Sequence, residues 1–136
     1  MRDNILTIIG AIFGAIGALS SYLDSIIVTL VVFMVIDFII GLIAASVFKV
    51  SKHGEFGLES RVCWKGIYKK GIALLICLMA YYFDRLLGTV FIHNAVAIGF
   101  IVSESISIIE NAGLIGIPVP VQLKDAISIL KKQSKE

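Results

Sequence analysis

The sequence predicts an all-α integral membrane protein, and three observations predict it. Hydrophobic residues make up 58% of the 136 and charged residues only 16%, against about 45–50% and about 25% in soluble domains. Four apolar segments come near the roughly 20 residues a helix needs to cross a bilayer core. The basic residues gather on one side of those segments, as they do in short cytoplasmic loops. A soluble domain of this size needs far more polar residues to cover it. In lipid, where nothing satisfies open backbone groups, apolar runs of this length must be helical.

The first segment, residues 5–23, interleaves Gly10, Gly14 and Gly17 with Ala11, Ala15 and Ala18. Small residues on neighbouring stripes let another helix backbone approach closely, and packing within one chain and self-association are equally served. Ala18, Leu19 and Ser20 also have the small-residue spacing of a signal-peptide cleavage site. The weakly basic "MRDN" and the long apolar run argue for a retained crossing.

The second segment, residues 26–48, is almost wholly apolar, yet its twelfth residue is Asp37. A central Asp costs about 2.5–3.5 kcal/mol on insertion, while each Leu, Ile, Phe or Val returns about 0.3–0.6 kcal/mol. Sixteen such residues lie between Ile26 and Phe48, so the helix inserts despite its acid. Nothing in insertion requires Asp37, and it is expected to face protein or water. Gly41 lies one turn on and Ala44 and Ala45 one turn further, which makes that face a helix contact.

Residues 49–65 read as a basic cytoplasmic loop. Within it "SKHGEFG" is a glycine-punctuated turn, and His53 has no partner at metal-ligand spacing. The third segment, residues 66–83, begins beside Trp64 and Tyr68, with Arg61, Lys65 and Lys69 every four residues, a pattern that anchors a helix at the headgroup level. Cys63 and Cys77 lie in different settings, so no disulfide or metal site is expected.

The fourth segment, residues 91–109, carries only ten Leu, Ile, Phe or Val residues against His93, Asn94, Ser103, Glu104, Ser105 and Ser107. Its insertion alone is marginal. Asn94, Ala97, Ile101, Glu104, Ser107 and Asn111 recur at spacings of three or four, a small and polar stripe that packs on other helices or lines water. For Asp37 and Glu104 two readings stay open: hydrogen bonds that hold a bundle together, or groups that ionise when water reaches them.

The tail, residues 117–136, opens with Pro118 and Pro120, which stop the fourth helix. Leu123, Ala126, Ile127 and Leu130 then form the apolar face of a short amphipathic helix over about residues 121–132, with Lys124, Asp125, Ser128, Lys131 and Lys132 opposite. Such a helix suits anionic lipid at the cytoplasmic face or a neighbouring subunit.

Arg2, six basic residues between the second and third segments and four in the tail lie on one side; Arg85 stands alone on the other. That split predicts a single membrane domain over residues 1–136, crossing four times with both termini in the cytoplasm. No phosphate-binding glycine loop, metal-ligand spacing or nucleophile with a base is present. Neither an enzyme nor a cofactor is expected.

The runs "IDFIIGLIAASVFK", "WKGIYKKGIALLICLMAYYFDRLL" and "HNAVAIGFIVSESISIIENAGLIGIPVPVQLKDAI" resemble the small phage lysis holins, a family that includes clostridial toxin-secretion holins. The most specific stretch runs from Glu104 through Ser107, Glu110, Asn111 and Gly113 to Gly116, Pro118, Pro120, Leu123 and Lys124; the pair Asp37 and Gly41 also fits. The loop "SKHGEFG" departs from the paired serines expected there, and the first 25 residues lie outside the resemblance. The resemblance implies a protein of the bacterial cytoplasmic membrane that homo-oligomerises and opens lesions. A cytoplasmic endolysin or a large toxin then passes as cargo without stable binding, and no nucleic acid is involved. Two other classes suit the residues: a small four-helix proton-coupled transporter, and a membrane scaffold whose acids only hold helices together.

Overall fold

Hydrophobic periodicity and chain punctuation yield five helices in the computed structural model, which describes residues 2–19, 21, 23–49 and 60–135. They are α1 (Arg2–Leu19), α2 (Ser25–Ser46), α3 (Ser60–Leu87), α4 (Ile92–Leu114) and α5 (Val121–Lys135), and no strand occurs among the described residues. Two of them, α2 with 22 residues and α4 with 23, are long and apolar enough to cross a membrane, with mean hydropathies of 3.0 and 1.6.

Where the helices stop follows from backbone chemistry. Gly116 adopts φ +80° beyond α4, the left-handed conformation that glycine takes at least cost. The Ile117 N–H then reaches the Ala112 carbonyl at 2.9 Å and the Gly116 N–H the Gly113 carbonyl at 3.1 Å, the paired bonds of a Schellman cap. Helix α4 therefore runs to Leu114, past the expected residue 109, and the prolines follow the stop instead of making it. Gly88, at φ +69°, ends α3 in the same way, with Thr89 N–H bonded to the Asp84 carbonyl at 2.9 Å. Helix α3 starts at Ser60, six residues before the expected 66, so residues 60–65 of the expected loop are helical. Hydropathy sees the apolar part of a helix and misses its polar first turns.

Helix α4 is the hub. Contacts between Asp24 and His93 and between Asp37 and Asn111 set α2 parallel to it. Contacts between Asp84 and His93 and between Lys70 and Glu104 set α3 antiparallel. The core where these helices meet consists of Leu30 and Met34 of α2, Ala73 and Cys77 of α3, and Ala97 and Ile101 of α4. Each pair is four residues apart, one turn of a single face. The outer faces are apolar as well: Leu75, Met79, Leu86 and Phe91 are exposed, Leu86 by 80%. Charged groups inside and large apolar side chains outside is the reverse of a soluble bundle, and it fits a lipid surround.

Helix α1 touches only the adjoining α2 to any extent. Its Ile5, Leu6, Ile8 and Phe13 are exposed, and a Cβ built at Gly10, Gly14 or Gly17 meets nothing within 4 Å. Helix α5 folds back along α4. Leu130 packs against the core, while Ser134 lines a shallow groove with Ala95, Val96, Gly99, Phe100 and Ser103. Leu123 and Ala126, on the expected apolar face of α5, are exposed, and so are Lys124, Lys131 and Lys132.

Candidate functional site

Asp37 sits in the middle of α2 and Glu104 in the middle of α4, and both face α3. Between them stands Lys70, whose Nζ donates to Asp37 Oδ2 at 2.9 Å and to Glu104 Oε2 at 2.5 Å. Asn111, two turns further along α4, donates its side-chain amide to Asp37 Oδ1 at 3.2 Å. Side-chain exposures of 19% for Lys70, 13% for Asp37 and 14% for Glu104 leave this cluster largely out of solvent. Two carboxylates at such proximity repel unless a cation lies between them. An ammonium with three donors can serve both at once. Gly41 lies against the arrangement: a Cβ there would stand 3.5 Å from the Asn111 amide nitrogen, in van der Waals contact, and a larger side chain would not fit beside it.

A second polar cluster closes the opposite end of the bundle. Asp84, in the last turn of α3 and 3% exposed, turns its carboxylate onto the start of α4. Oδ1 accepts the Ile92 N–H at 3.0 Å and the Thr89 hydroxyl at 2.5 Å, and Oδ2 accepts the His93 N–H at 2.8 Å. It thereby satisfies two of the donors that every helix N-terminus leaves open. The His93 ring joins the cluster through Nδ1, 2.8 Å from Asp84 Oδ2, and through Nε2, 2.9 Å from Asp24 Oδ2. Burial alone pushes the Asp84 carboxyl up, but the His93 N–H, the Thr89 hydroxyl, the His93 ring and the Ile92 N–H together hold it well below the usual carboxylate range.

Of the residues singled out in the sequence, Asp37, Glu104, Gly41 and Asn111 come together. Ser107 is half-buried on α4, Glu110, Gly113 and Lys124 are exposed, and Gly116, Pro118 and Pro120 form the corner before α5. Gly10, Gly14 and Gly17 lie apart on α1. Sequence reasoning missed Lys70, counted with the loop lysines, and the trio Asp24, Asp84 and His93. A signal for Lys70 was present: with Ala73, Cys77, Ala80 and Asp84 it recurs every three or four residues along one face of α3. Among the described residues no group of His, Cys, Asp and Glu side chains is arranged to hold a metal.

A small helical membrane-type protein, polar at its helix contacts and apolar outside, is the class that this fold and these clusters define. Residues 14–132 match the bacteriophage holin family, and the chain belongs to that family. The match takes in the last third of α1, residues 14–19, which lies outside the sequence resemblance. Relatives include an uncharacterized protein of Halalkalibacterium halodurans, 42% identical over 97 residues that make up 67% of each chain. An uncharacterized 14.9 kDa protein in the nagH 3' region of Clostridium perfringens is 40% identical over 78 residues, 56% of this chain and 59% of the relative. An uncharacterized protein of Listeria monocytogenes is 39% identical over 83 residues, 58% of this chain and 57% of the relative. The chain thus spans between half and two thirds of the relatives it matches. No solved structure matches it.

Proposed function

We propose that this protein is a holin of the bacterial cytoplasmic membrane, which accumulates as a homo-oligomer and opens lesions through which an endolysin or a large toxin leaves the cell. In this reading residues 1–136 form one membrane domain, α1 to α4 cross the bilayer and both termini lie in the cytoplasm. Residues 49–65 and 117–136 are its cytoplasmic parts, which requires α5 to swing away from α4, where Ser134 lies beside Ala95 and Val96, before its lysines meet anionic lipid. The observation that carries the reading is the family match over residues 14–132. The ion cluster supports it, because charged groups shared among three helices give the helices a reason to stay together in lipid and a reason to rearrange around water. Asp37 and Glu104 are helix-contact acids before triggering and lumen-facing acids afterwards.

The test is inducible expression in a bacterium, following a potential-sensitive dye together with release of an endolysin-sized reporter. Abrupt depolarisation with release is expected. Depolarisation alone means a small pore, and neither, with protein verified in the membrane, sinks the proposal. Asp37→Asn and Glu104→Gln are each expected to shift the onset of permeabilisation. Unchanged timing and extent in both variants removes the acids from the mechanism.

A further inference from the structure

We propose that His93 is a proton-operated latch between the turn before α2 and the corner joining α3 to α4. Both of its ring nitrogens face carboxylate oxygens, Nδ1 at 2.8 Å from Asp84 and Nε2 at 2.9 Å from Asp24. Carboxylates only accept, so both contacts are hydrogen bonds only when both nitrogens carry protons, that is, as imidazolium. The two arms differ. Asp84, 4% exposed, is fixed by two backbone N–H groups and the Thr89 hydroxyl whatever the ring does; Asp24, 52% exposed, stands at the end of the turn before α2. The ring is therefore anchored on Asp84, and Tyr81 holds its orientation edge-on with centroids 5.8 Å apart.

When the imidazolium loses one proton, the remaining one stays at Nδ1, where the buried carboxylate holds it. Nε2 then presents a lone pair to Asp24 and that arm opens. The titratable groups facing His93 are Asp24 from the turn, and Asp84 and Tyr81 from α3. The latch is closed at acidic pH and opens as pH rises through the range in which the imidazolium gives up its proton. Opening frees the α1–α2 corner from α4 without disturbing the cap on α4. Under the four-crossing reading this end faces the outside of the cell, and only that assignment of side depends on the proposed function.

The full-length protein in detergent micelles tests the latch directly. The thermal midpoint is measured from about pH 5 to pH 9 for the native chain, His93→Gln, Asp24→Asn and the control His53→Gln, a residue outside those the structure describes. A downward step of about 4 °C with rising pH is expected in the native chain and in His53→Gln. It should vanish in His93→Gln and shrink in Asp24→Asn, whose amide bonds the ring in either protonation state while Asp84 still favours the imidazolium. A native profile without a step, or an undiminished step in Asp24→Asn, overturns the proposal. Nitrogen-15 spectra of the native chain need no variant: doubly protonated ring nitrogens on one histidine below the step, with Nε2 alone deprotonated above it, support the latch. Loss of the proton at Nδ1 first rejects it. Vesicle permeabilisation is a separate readout, so a failed holin assay leaves the titration result standing.

Discussion

Lys70 occupies the position in the molecule where one cation keeps two carboxylates apart. Removing it leaves both acids facing each other in a poorly solvated contact, a change that costs about 3–5 kcal/mol for a buried group. With a fifth of Lys70 still exposed, Lys70→Met should fall near the lower end, read as a shift in the denaturant midpoint in detergent. The triple change Lys70→Met, Asp37→Asn and Glu104→Gln should recover much of that loss, because no unpaired charge remains. A triple variant as unstable as the single one would mean that Lys70 matters for packing alone. Asp84 gives a pH prediction of its own. Its carboxyl is held below the ordinary range, so its contribution is present above that range and is lost only as pH falls further. Amide exchange at Ile92 and His93 should stay protected down to about pH 4 and rise below it. Asp37 and Glu104 were legible as costly membrane acids from insertion energetics. Lys70 was not, because a lysine one turn into the apolar segment, directly after Lys69, looks like the end of a basic loop.

At the scale of helices, the glycines separate into two kinds. Gly41 faces Asn111 across α2 and α4, and Gly41→Leu forces a side chain into an occupied contact, at a cost of about 1–3 kcal/mol in unfolding measurements. Gly14 of α1 meets nothing within 4 Å. Gly14→Leu should leave the monomer's stability within about 0.5 kcal/mol while lowering the cross-linked oligomer yield in membranes. An intact oligomer in that variant would place self-association elsewhere. The spacing of small residues had marked both faces alike, since sequence shows which side of a helix is small and leaves out what lies opposite. For α5 the periodicity gave a helix at the right place. Leu130 of its apolar face packs against the core because the Gly116 corner and two prolines reverse the chain close to α4.

For the molecule as a whole, the basic residues set the expected sidedness, and moving Lys70 into the bundle leaves ten on one side against Arg85. Labelling with a membrane-impermeant thiol reagent in intact cells is the check. Cys63 of a Cys77→Ala background should be protected, and a cysteine introduced at Ser21 should react; the opposite pattern reverses the topology. The all-helical class was readable from composition because lipid leaves helices as the solution, whereas the antiparallel and parallel pairings of α4 depend on contacts far apart in sequence. Those pairings have a dynamic consequence. Glu104 and His93 lie eleven residues apart on α4, about 16 Å along one rod, and each is bonded to α3 and linked to α2 or the turn before it. A rod fastened at two points to the same neighbours resists small displacements and yields only when both fastenings fail in the same movement. Under the proposed holin function, helix α4 is a toggle with a threshold: slow accumulation of protein leaves the structure unaltered until a single, abrupt event releases it.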